Sequence, residues 1–208
     1  MDTKIIVVGI GPGAADYILP AAQKTIAAAY YLVGGKRALA DFAGSHQHTQ
    51  VIDRDIPAVL QFISSALQER DVVVMVSGDP GFHSFLTRLR SVFGPERLTV
   101  IPGISSLQVA FARLAMPWQE AAFLSLHGNE ESEEALAYKP GRAIGLLLDN
   151  KMHAAAAARK LLDHGWPSTA FAGVCANLSY PDESVWRGTL TEALKLTPQT
   201  MCVMVVAG

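Results

Sequence analysis

The segment KIIVVGIGPG, residues 4–13, decides the fold class of this 208-residue chain. Its first half is a short apolar run rich in β-branched residues, which is the pattern of a strand buried on both faces of a sheet. Its second half is a loop in which Gly9, Gly11 and Gly13 surround Pro12. A helical pattern follows at residues 18–29, so the segment predicts the opening strand of an α/β unit.

The same alternation continues along the chain. We predict further strands at residues 30–33, 72–76, 98–101, 122–126, 143–148, 169–175, 184–187 and 201–206, and further helices at 36–42, 56–69, 83–93, 105–116 and 152–164. This order indicates two α/β domains with largely parallel sheets. The last helix of the first half stops before Pro117, which places an N-terminal domain at residues 1–116 and a C-terminal domain at residues 117–208.

Composition excludes several classes of protein. Half of the residues are hydrophobic and 17% are charged, so the chain can bury a sizeable core. The 17 basic and 19 acidic residues give a net charge of −2, which does not suit a nucleic-acid partner. No apolar run reaches the roughly 18 residues of a membrane span, and no signal peptide precedes the first strand. We therefore expect a cytoplasmic protein.

Metal-binding patterns are weak. Cys175 and Cys202 are far apart and form no CxxC motif, so neither a disulfide framework nor a cysteine zinc site is expected. His46 and His48 form an HxH pair in a polar loop that offers no third ligand. The sequence predicts no metal site.

Three glycine loops follow predicted strands, namely GIGPG at 9–13, SGDPGF at 77–82 and PGISS at 102–106. Ligands of open parallel sheets bind at the carboxyl ends of the strands, where these loops lie. Each loop taken singly could equally be a structural turn. The first loop is not GxGxxG, because Pro12 removes a donor and Ala14 and Ala15 stand where the third glycine is sought. The pattern therefore disfavours a dinucleotide.

In this order and at these strand ends, the three loops resemble those of the tetrapyrrole (corrin/porphyrin) methylase family, whose members transfer a methyl group from S-adenosylmethionine and release S-adenosylhomocysteine. Ser125-Leu126-His127-Gly128 and the segment NLSYPDE at 177–183 look like the CbiE type. That type methylates carbon-5 of cobalt-precorrin-7 or precorrin-6Y. The resemblance implies two α/β domains, a cofactor in the cleft between them, and a homodimer.

The resemblance also implies cofactor contacts residue by residue. They fall on Pro12, Ser77, Gly78, Asp79, Phe82, Ser105, Ser106, Leu148, Asp149, Asn177 and Leu178. Two positions depart from the family pattern: Pro20 replaces a common threonine, and Ala176 replaces a common glutamate. Some relatives carry a second, fused activity that methylates carbon-15 and decarboxylates. We expect this chain to leave that step to a separate protein.

Several roles stay open at this stage. Asp79 could pair with the cofactor's ammonium group or cap the next helix, and Ser105 and Ser106 could contact the cofactor, cap a helix, or both. A substrate with several carboxylates is expected to bind to basic side chains. Lys36 and Arg37 are candidates, because they follow Gly34-Gly35 at a strand end. They could bind substrate or be solvated charges. His83 and His127 could face the substrate in the same way. No catalytic base is identified.

Other functions compete with the carbon-5 methyltransferase. Another member of the same family could act on uroporphyrinogen, ribosomal RNA or diphthine intermediates. A nicotinamide-dependent oxidoreductase is a less favoured alternative, since the fingerprint spacing and a ribose-binding carboxylate are missing. A non-catalytic tetrapyrrole-binding protein would leave three cofactor loops without a purpose.

Overall fold

The computed structural model describes residues 3–126 and 132–208. The chain divides into two units, Met1–Ser105 and Ser106–Gly208, and each contains a five-stranded sheet. The division falls ahead of the helix that the sequence analysis assigned to the first domain. That helix packs on the sheet of the second unit, as described below.

The first unit is built around a parallel sheet with strand order β3-β2-β4-β1-β5. Its strands are β1 (Ile5–Gly9), β2 (Tyr31–Gly34), β3 (His48–Val51), β4 (Val72–Val76) and β5 (Leu98–Ile101). Its helices are α1 (Pro20–Ala28), α2 (Lys36–Phe42), α3 (Ile56–Ala66) and α4 (Leu86–Phe93), with 3₁₀ turns at Ala15–Tyr17 and Pro95–Arg97. The predicted parallel sheet is confirmed for this unit.

The central strands β1 and β4 explain the apolar runs seen in the sequence. Ile5, Val7, Val72 and Val74 pack on one face with α3, whereas Val8, Val73 and Met75 pack on the other face with α1 and α2. A strand covered on both faces has no polar side to present, so its sequence is apolar throughout. Because all five strands are parallel, the loops that follow them emerge at one edge of the sheet.

The second unit contains a mixed sheet with strand order β6-β7-β10-β8-β9. Its strands are β6 (Ala121–Ser125), β7 (Ala143–Leu147), β8 (Phe171–Ala176), β9 (Ser184–Thr189) and β10 (Cys202–Ala207). Its helices are α5 (Ser106–Arg113), α6 (Glu133–Leu136), α7 (Ala154–Asp163) and α8 (Leu190–Ala193).

The prediction of a largely parallel sheet is wrong for this second sheet. Only β6 and β7 pair in parallel, and the other three pairings are antiparallel. A parallel connection needs a crossover of about a dozen residues or more. The segment 177–183, which joins β8 to β9, is too short for that, so the chain turns back on itself there.

Helix α5 and the following Leu114 approach the second sheet closely because the sheet offers glycine there. A Cβ added to Gly145 would lie 3.0 Å from Leu107 and 3.1 Å from Phe111, and one added to Gly173 would lie 2.5 Å from Leu114. The alanine-rich α7 packs in a large core cluster of this unit, with β7, β8 and β10. Helix α5 therefore belongs structurally to the second unit.

The helices are short, and α3 is the longest of those named above, with 11 residues. Among the helices formed by residues 3–126 and 132–208, none combines the length and the apolar character that a membrane crossing requires.

Candidate functional site

Three loops meet at the carboxyl edge of the first sheet, after β1, β4 and β5. These strands are neighbours, with β1 between the other two. The first and second loops form a two-residue bridge: Gly78 N–H donates to the Gly11 carbonyl over 2.8 Å, and Gly11 N–H donates to the Gly78 carbonyl over 3.4 Å. The glycine loops that the sequence analysis grouped by pattern are thus in direct contact.

The contact between these loops leaves no room for side chains. A Cβ added to Gly9 would lie 2.6 Å from both the Gly103 nitrogen and the Gly78 oxygen, and one added to Gly103 would overlap the same Gly78 oxygen. Gly11 and Gly78 also have φ angles of +71° and +66°, a region that residues with a Cβ rarely adopt. Glycine is required here for close packing and for backbone conformation.

Asp79 joins the second loop to the third. Its Oδ1 accepts the Gly81 N–H over 2.7 Å, and its Oδ2 accepts the Gly103 N–H over 3.0 Å. Helix α4 begins at Leu86, whose N–H donates to Ser84 Oγ, so Asp79 does not cap the next helix. Both carboxylate oxygens are engaged by backbone donors, an arrangement that charge assistance makes strong.

The other predicted residues of this edge have varied exposure. Pro12 and Phe82 are half-buried, and Ser77 is exposed. The exposed His83 has a left-handed φ of 45° and meets the Phe82 ring edge-on at 4.6 Å between centroids. His83 therefore precedes α4 rather than starting it. Ser105 ends the third loop, and a Cβ on Gly78 would lie 3.7 Å from its Cα.

The predicted residues of the second unit share one edge of its sheet. Leu148 N–H donates to the Cys202 carbonyl and Asn177 N–H donates to the Met201 carbonyl, both over 3.2 Å. The start of β10 thus connects the segment after β7 to the segment after β8. The structure brings Leu148, Asp149, Asn177 and Leu178 to this edge, while Ser106 opens α5.

Only some of these side chains present polar groups. Leu148 and Leu178 are buried, and Asp149 Oδ1 accepts the N–H groups of Lys151 and Met152 over 2.8 and 2.6 Å. Asn177 has a φ of 50°, and its Nδ2 donates to Asp182 over 2.7 Å. The Oδ1 of Asn177 is buried and accepts no hydrogen bond from the described residues. Such an oxygen is an acceptor that a ligand could satisfy.

The structure describes some of the predicted substrate-binding residues. Lys36 and Arg37 are exposed at the start of α2, directly after β2. They lie at the same edge of the first sheet as the three glycine loops, because β2 is parallel to β4. His127 lies outside the described residues.

The family model of tetrapyrrole (corrin/porphyrin) methylases matches residues 4–194, which is most of the chain and includes the three glycine loops and the segments after β7 and β8. The chain belongs to the tetrapyrrole methylase family. The resemblance inferred from the three glycine loops is therefore confirmed. Members of this family are methyltransferases that use S-adenosylmethionine.

Individual relatives of this methylase are similar over much of their length. A Salmonella typhimurium protein named cobalt-precorrin-7 C(5)-methyltransferase is 35% identical over 161 residues, 77% of this chain and 79% of the relative. The solved structure of precorrin-6Y methylase (CbiE) from Archaeoglobus fulgidus is 23% identical, covers 98% of this chain and 97% of its own, and has a TM-score of 0.73. Uroporphyrin-III C-methyltransferase from Thermus thermophilus, solved with S-adenosylhomocysteine, is 18% identical with coverages of 98% and 91% and a TM-score of 0.76. Both structures share the fold.

The chemical groups at the two edges of this methylase are suited to binding S-adenosylmethionine. Packing leaves no room for a Cβ at Gly9 or Gly103. Glycine at 9, 78 and 103 carries no side chain, so main-chain groups can approach a ligand closely. In the second unit, the Asn177 carboxamide offers a buried acceptor. The individual cofactor contacts that the family resemblance implies remain predictions.

The two thiols of the methylase are unsuited to covalent catalysis. Burial raises the pKa of Cys175 to about 11 and that of Cys202 to about 12, so both stay protonated at neutral pH. A thiol reacts as the thiolate, which is scarce under these conditions. Within residues 3–126 and 132–208, no three His, Cys, Asp or Glu side chains are arranged to hold a metal ion.

Two features of the second edge were missed from the sequence. Met201 directly precedes β10, is 49% exposed and has a φ of 47°, between the segments that carry Leu148 and Asn177. Arg113 forms an ion pair with Glu183, with Nε and Oε1 2.5 Å apart. The turn residues before the last strand were a usable signal for Met201, whereas no local pattern marks Arg113 and Glu183 as partners.

Proposed function

We propose that this tetrapyrrole methylase transfers a methyl group from S-adenosylmethionine to carbon-5 of a cobalamin precursor, of the cobalt-precorrin-7 or precorrin-6Y type. The observation that carries the proposal is the 35% identity with the Salmonella protein of that name over 77% of this chain. The SLHG segment at 125–128 and the NLSYPDE segment at 177–183, which indicate the same type in the sequence analysis, support it further.

When bound, S-adenosylmethionine would supply an activated methyl group on a sulfonium: a nucleophilic ring carbon would bond to the methyl carbon while the S–CH₃ bond breaks, and S-adenosylhomocysteine would leave. The chain's own task is to hold its ligands in line and to keep them there. Such positioning can supply roughly 7–11 kcal/mol of the barrier. The bridge between Gly11 and Gly78 and the two bonds of Asp79 give the first unit the rigid loops that this task needs. No covalent nucleophile is required, which agrees with the protonated thiols.

A nicotinamide-dependent oxidoreductase is poorly supported by the first loop. A dinucleotide fold places the pyrophosphate at the N-terminus of a helix that starts at the glycine loop. Here a 3₁₀ turn follows at Ala15–Tyr17 and α1 begins only at Pro20. The peptide groups of Gly11 are bonded to Gly78. The loop is therefore built to contact its neighbouring loop.

Lys36 and Arg37 are proposed to bind substrate carboxylates. Replacing both with alanine is expected to raise the KM for the tetrapyrrole by about 10- to 100-fold, since hydrogen bonds to charged groups contribute roughly 1.5–3 kcal/mol. Affinity for S-adenosylhomocysteine should not change. The matched control removes two exposed cations elsewhere in the same unit, Lys24 and Arg90. Equal KM values for the two double variants would refute the assignment.

The proposed reaction is tested by incubating the protein with S-adenosylmethionine carrying a ¹³C-labelled methyl group and each candidate tetrapyrrole. Cobalt-precorrin-7, precorrin-6Y and uroporphyrinogen III are compared. We expect label at carbon-5 of one of the first two by NMR, with release of S-adenosylhomocysteine. Label on uroporphyrinogen III alone, or at another ring carbon, would contradict the substrate proposal.

Assembly and location are proposed from the family resemblance and from the state of the two thiols. We infer a homodimer from the resemblance to the family, and sedimentation equilibrium of the purified protein tests it. We place the protein in the cytoplasm because Cys175 and Cys202 are free and buried, as suits a reducing compartment.

A further inference from the structure

The segment 177–183 between β8 and β9, hereafter the 177–183 turn, has an unusual backbone. Asn177 and Ser179 have φ angles of 50° and 74°, in the left-handed region that glycine normally occupies. Asparagine tolerates this region better than serine does. A serine held there must be stabilised by contacts that outweigh the strain. The contacts of the turn therefore indicate what holds it.

Glu183 makes the contact that fixes Ser179. Its Oε2 accepts the Ser179 N–H over 2.7 Å, so the carboxylate closes the turn from its far end. The Tyr180 N–H donates to the Asn177 carbonyl and the Glu183 N–H donates to the Tyr180 carbonyl, each over 3.0 Å. With Asp182 bound to the Asn177 side chain, each of these four hydrogen bonds involves Asn177 or Glu183.

Arg113, the last residue of α5, holds Glu183 in place. Its Nε and Nη2 donate to Oε1 and Oε2 over 2.5 and 3.3 Å, a two-point contact that fixes the orientation of the carboxylate. The guanidinium lowers the pKa of the Glu183 carboxyl, and the Ser179 N–H acts in the same direction against partial burial. The Arg113 carbonyl in turn accepts from Arg187 over 2.6 Å.

We propose that Arg113 and Glu183 are positioning residues for the cofactor, because they keep Ser179 left-handed and thereby aim the buried Oδ1 of Asn177. This inference rests on the proposed function, and on the prediction from the family resemblance that Asn177 contacts the cofactor. Arg113 also ends the helix that begins at Ser106, another predicted cofactor residue. One ion pair thus fixes the segment after β8 against α5. The proposal thus adds Arg113 and Glu183 to the cofactor site as residues that do not contact a reacting atom.

Glu183→Ala is expected to weaken binding of S-adenosylhomocysteine about tenfold, measured by calorimetric titration, and to raise the KM for S-adenosylmethionine with kcat unchanged. Adding Ser179→Gly should restore most of the affinity, because glycine adopts a positive φ without strain. The matched control adds Ala115→Gly instead, at a left-handed residue of the same unit with φ 55° that lies outside the turn. The control should not restore affinity. The affinity of Arg113→Lys for S-adenosylhomocysteine should lie between those of the wild type and Glu183→Ala.

The outcomes separate this inference from the proposed function. A wild-type protein that binds no S-adenosylhomocysteine would overturn both. Wild-type affinity in Glu183→Ala, or equal recovery with Ser179→Gly and Ala115→Gly, would overturn the inference alone. If Glu183→Ala does not fold, Glu183→Gln carries the test, since it keeps an acceptor for Ser179 but no charge for Arg113. Weaker binding at an unchanged midpoint of thermal unfolding supports positioning, and unchanged binding refutes it.

Discussion

A Gly103→Ala variant is expected to lose binding of S-adenosylhomocysteine while remaining folded. The added Cβ would overlap the Gly78 carbonyl oxygen and lie 2.8 Å from Gly9 Cα, and these backbone atoms cannot rotate away as a side chain could. The third loop must therefore move away from the other two. We expect methyl transfer to fall about 100-fold, as a displacement of about 1 Å in a positioned site can cause. The free energy of unfolding should drop by about 1–3 kcal/mol.

The matched control for this variant is Gly35→Ala. Gly35 also follows a strand of the first sheet, but a Cβ there meets nothing within 4 Å and its φ of −62° suits any residue. Its affinity for S-adenosylhomocysteine and its thermal unfolding should match the wild type. Calorimetry and thermal unfolding on both variants decide the matter. If Gly103→Ala binds as tightly as Gly35→Ala, the close packing of the loops is irrelevant to the ligand.

Asp79→Ala should have the second largest effect. The change leaves the N–H groups of Gly81 and Gly103 without their acceptor, so the second loop is no longer bonded to the third through a side chain. Loss of such acceptors amounts to roughly 1–3 kcal/mol, which corresponds to about 5- to 150-fold in affinity. Asp79→Asn keeps the size and one acceptor oxygen, so its affinity should be intermediate.

Two ligands distinguish how Asp79 acts. S-adenosylhomocysteine carries an ammonium group, whereas methylthioadenosine has the adenosine and the sulfur without the amino-acid part. Both Asp79 oxygens accept backbone N–H groups. Asp79→Ala should therefore lower the binding affinity for both ligands by the same factor. A loss confined to S-adenosylhomocysteine would show instead that Asp79 pairs directly with the ammonium group.

The central strands could be predicted because burial on both faces makes them apolar, as in Val72–Val76. Strand β3 could not. Its sequence His48-Thr-Gln-Val51 is largely polar and half exposed, since an edge strand has one backbone neighbour and an open side. The direction of the strands in the second sheet also could not be predicted from the sequence. An apolar run specifies that a strand is buried but contains nothing that fixes the direction of its neighbours.

The positions of the candidate site were more predictable than its contacts. Glycine loops at strand ends were visible in the sequence, and the structure joins them. The hydrogen bond between Asp79 and Gly103 and the ion pair between Arg113 and Glu183 link residues that are distant in the chain. No local sequence pattern therefore predicts them. Helix α4 was predicted from residue 83 but begins at Leu86, because the loop continues through Ser84, whose hydroxyl accepts the Leu86 N–H.

We expect the three glycine loops to serve S-adenosylmethionine chemistry. This is tested by calorimetric titration of ligand-stripped protein with S-adenosylhomocysteine, with NADH and NADPH titrated in parallel. We predict saturable micromolar binding of S-adenosylhomocysteine and no binding of either nicotinamide. Saturable binding of a nicotinamide without binding of S-adenosylhomocysteine would contradict the account and make the glycine loops a dinucleotide site.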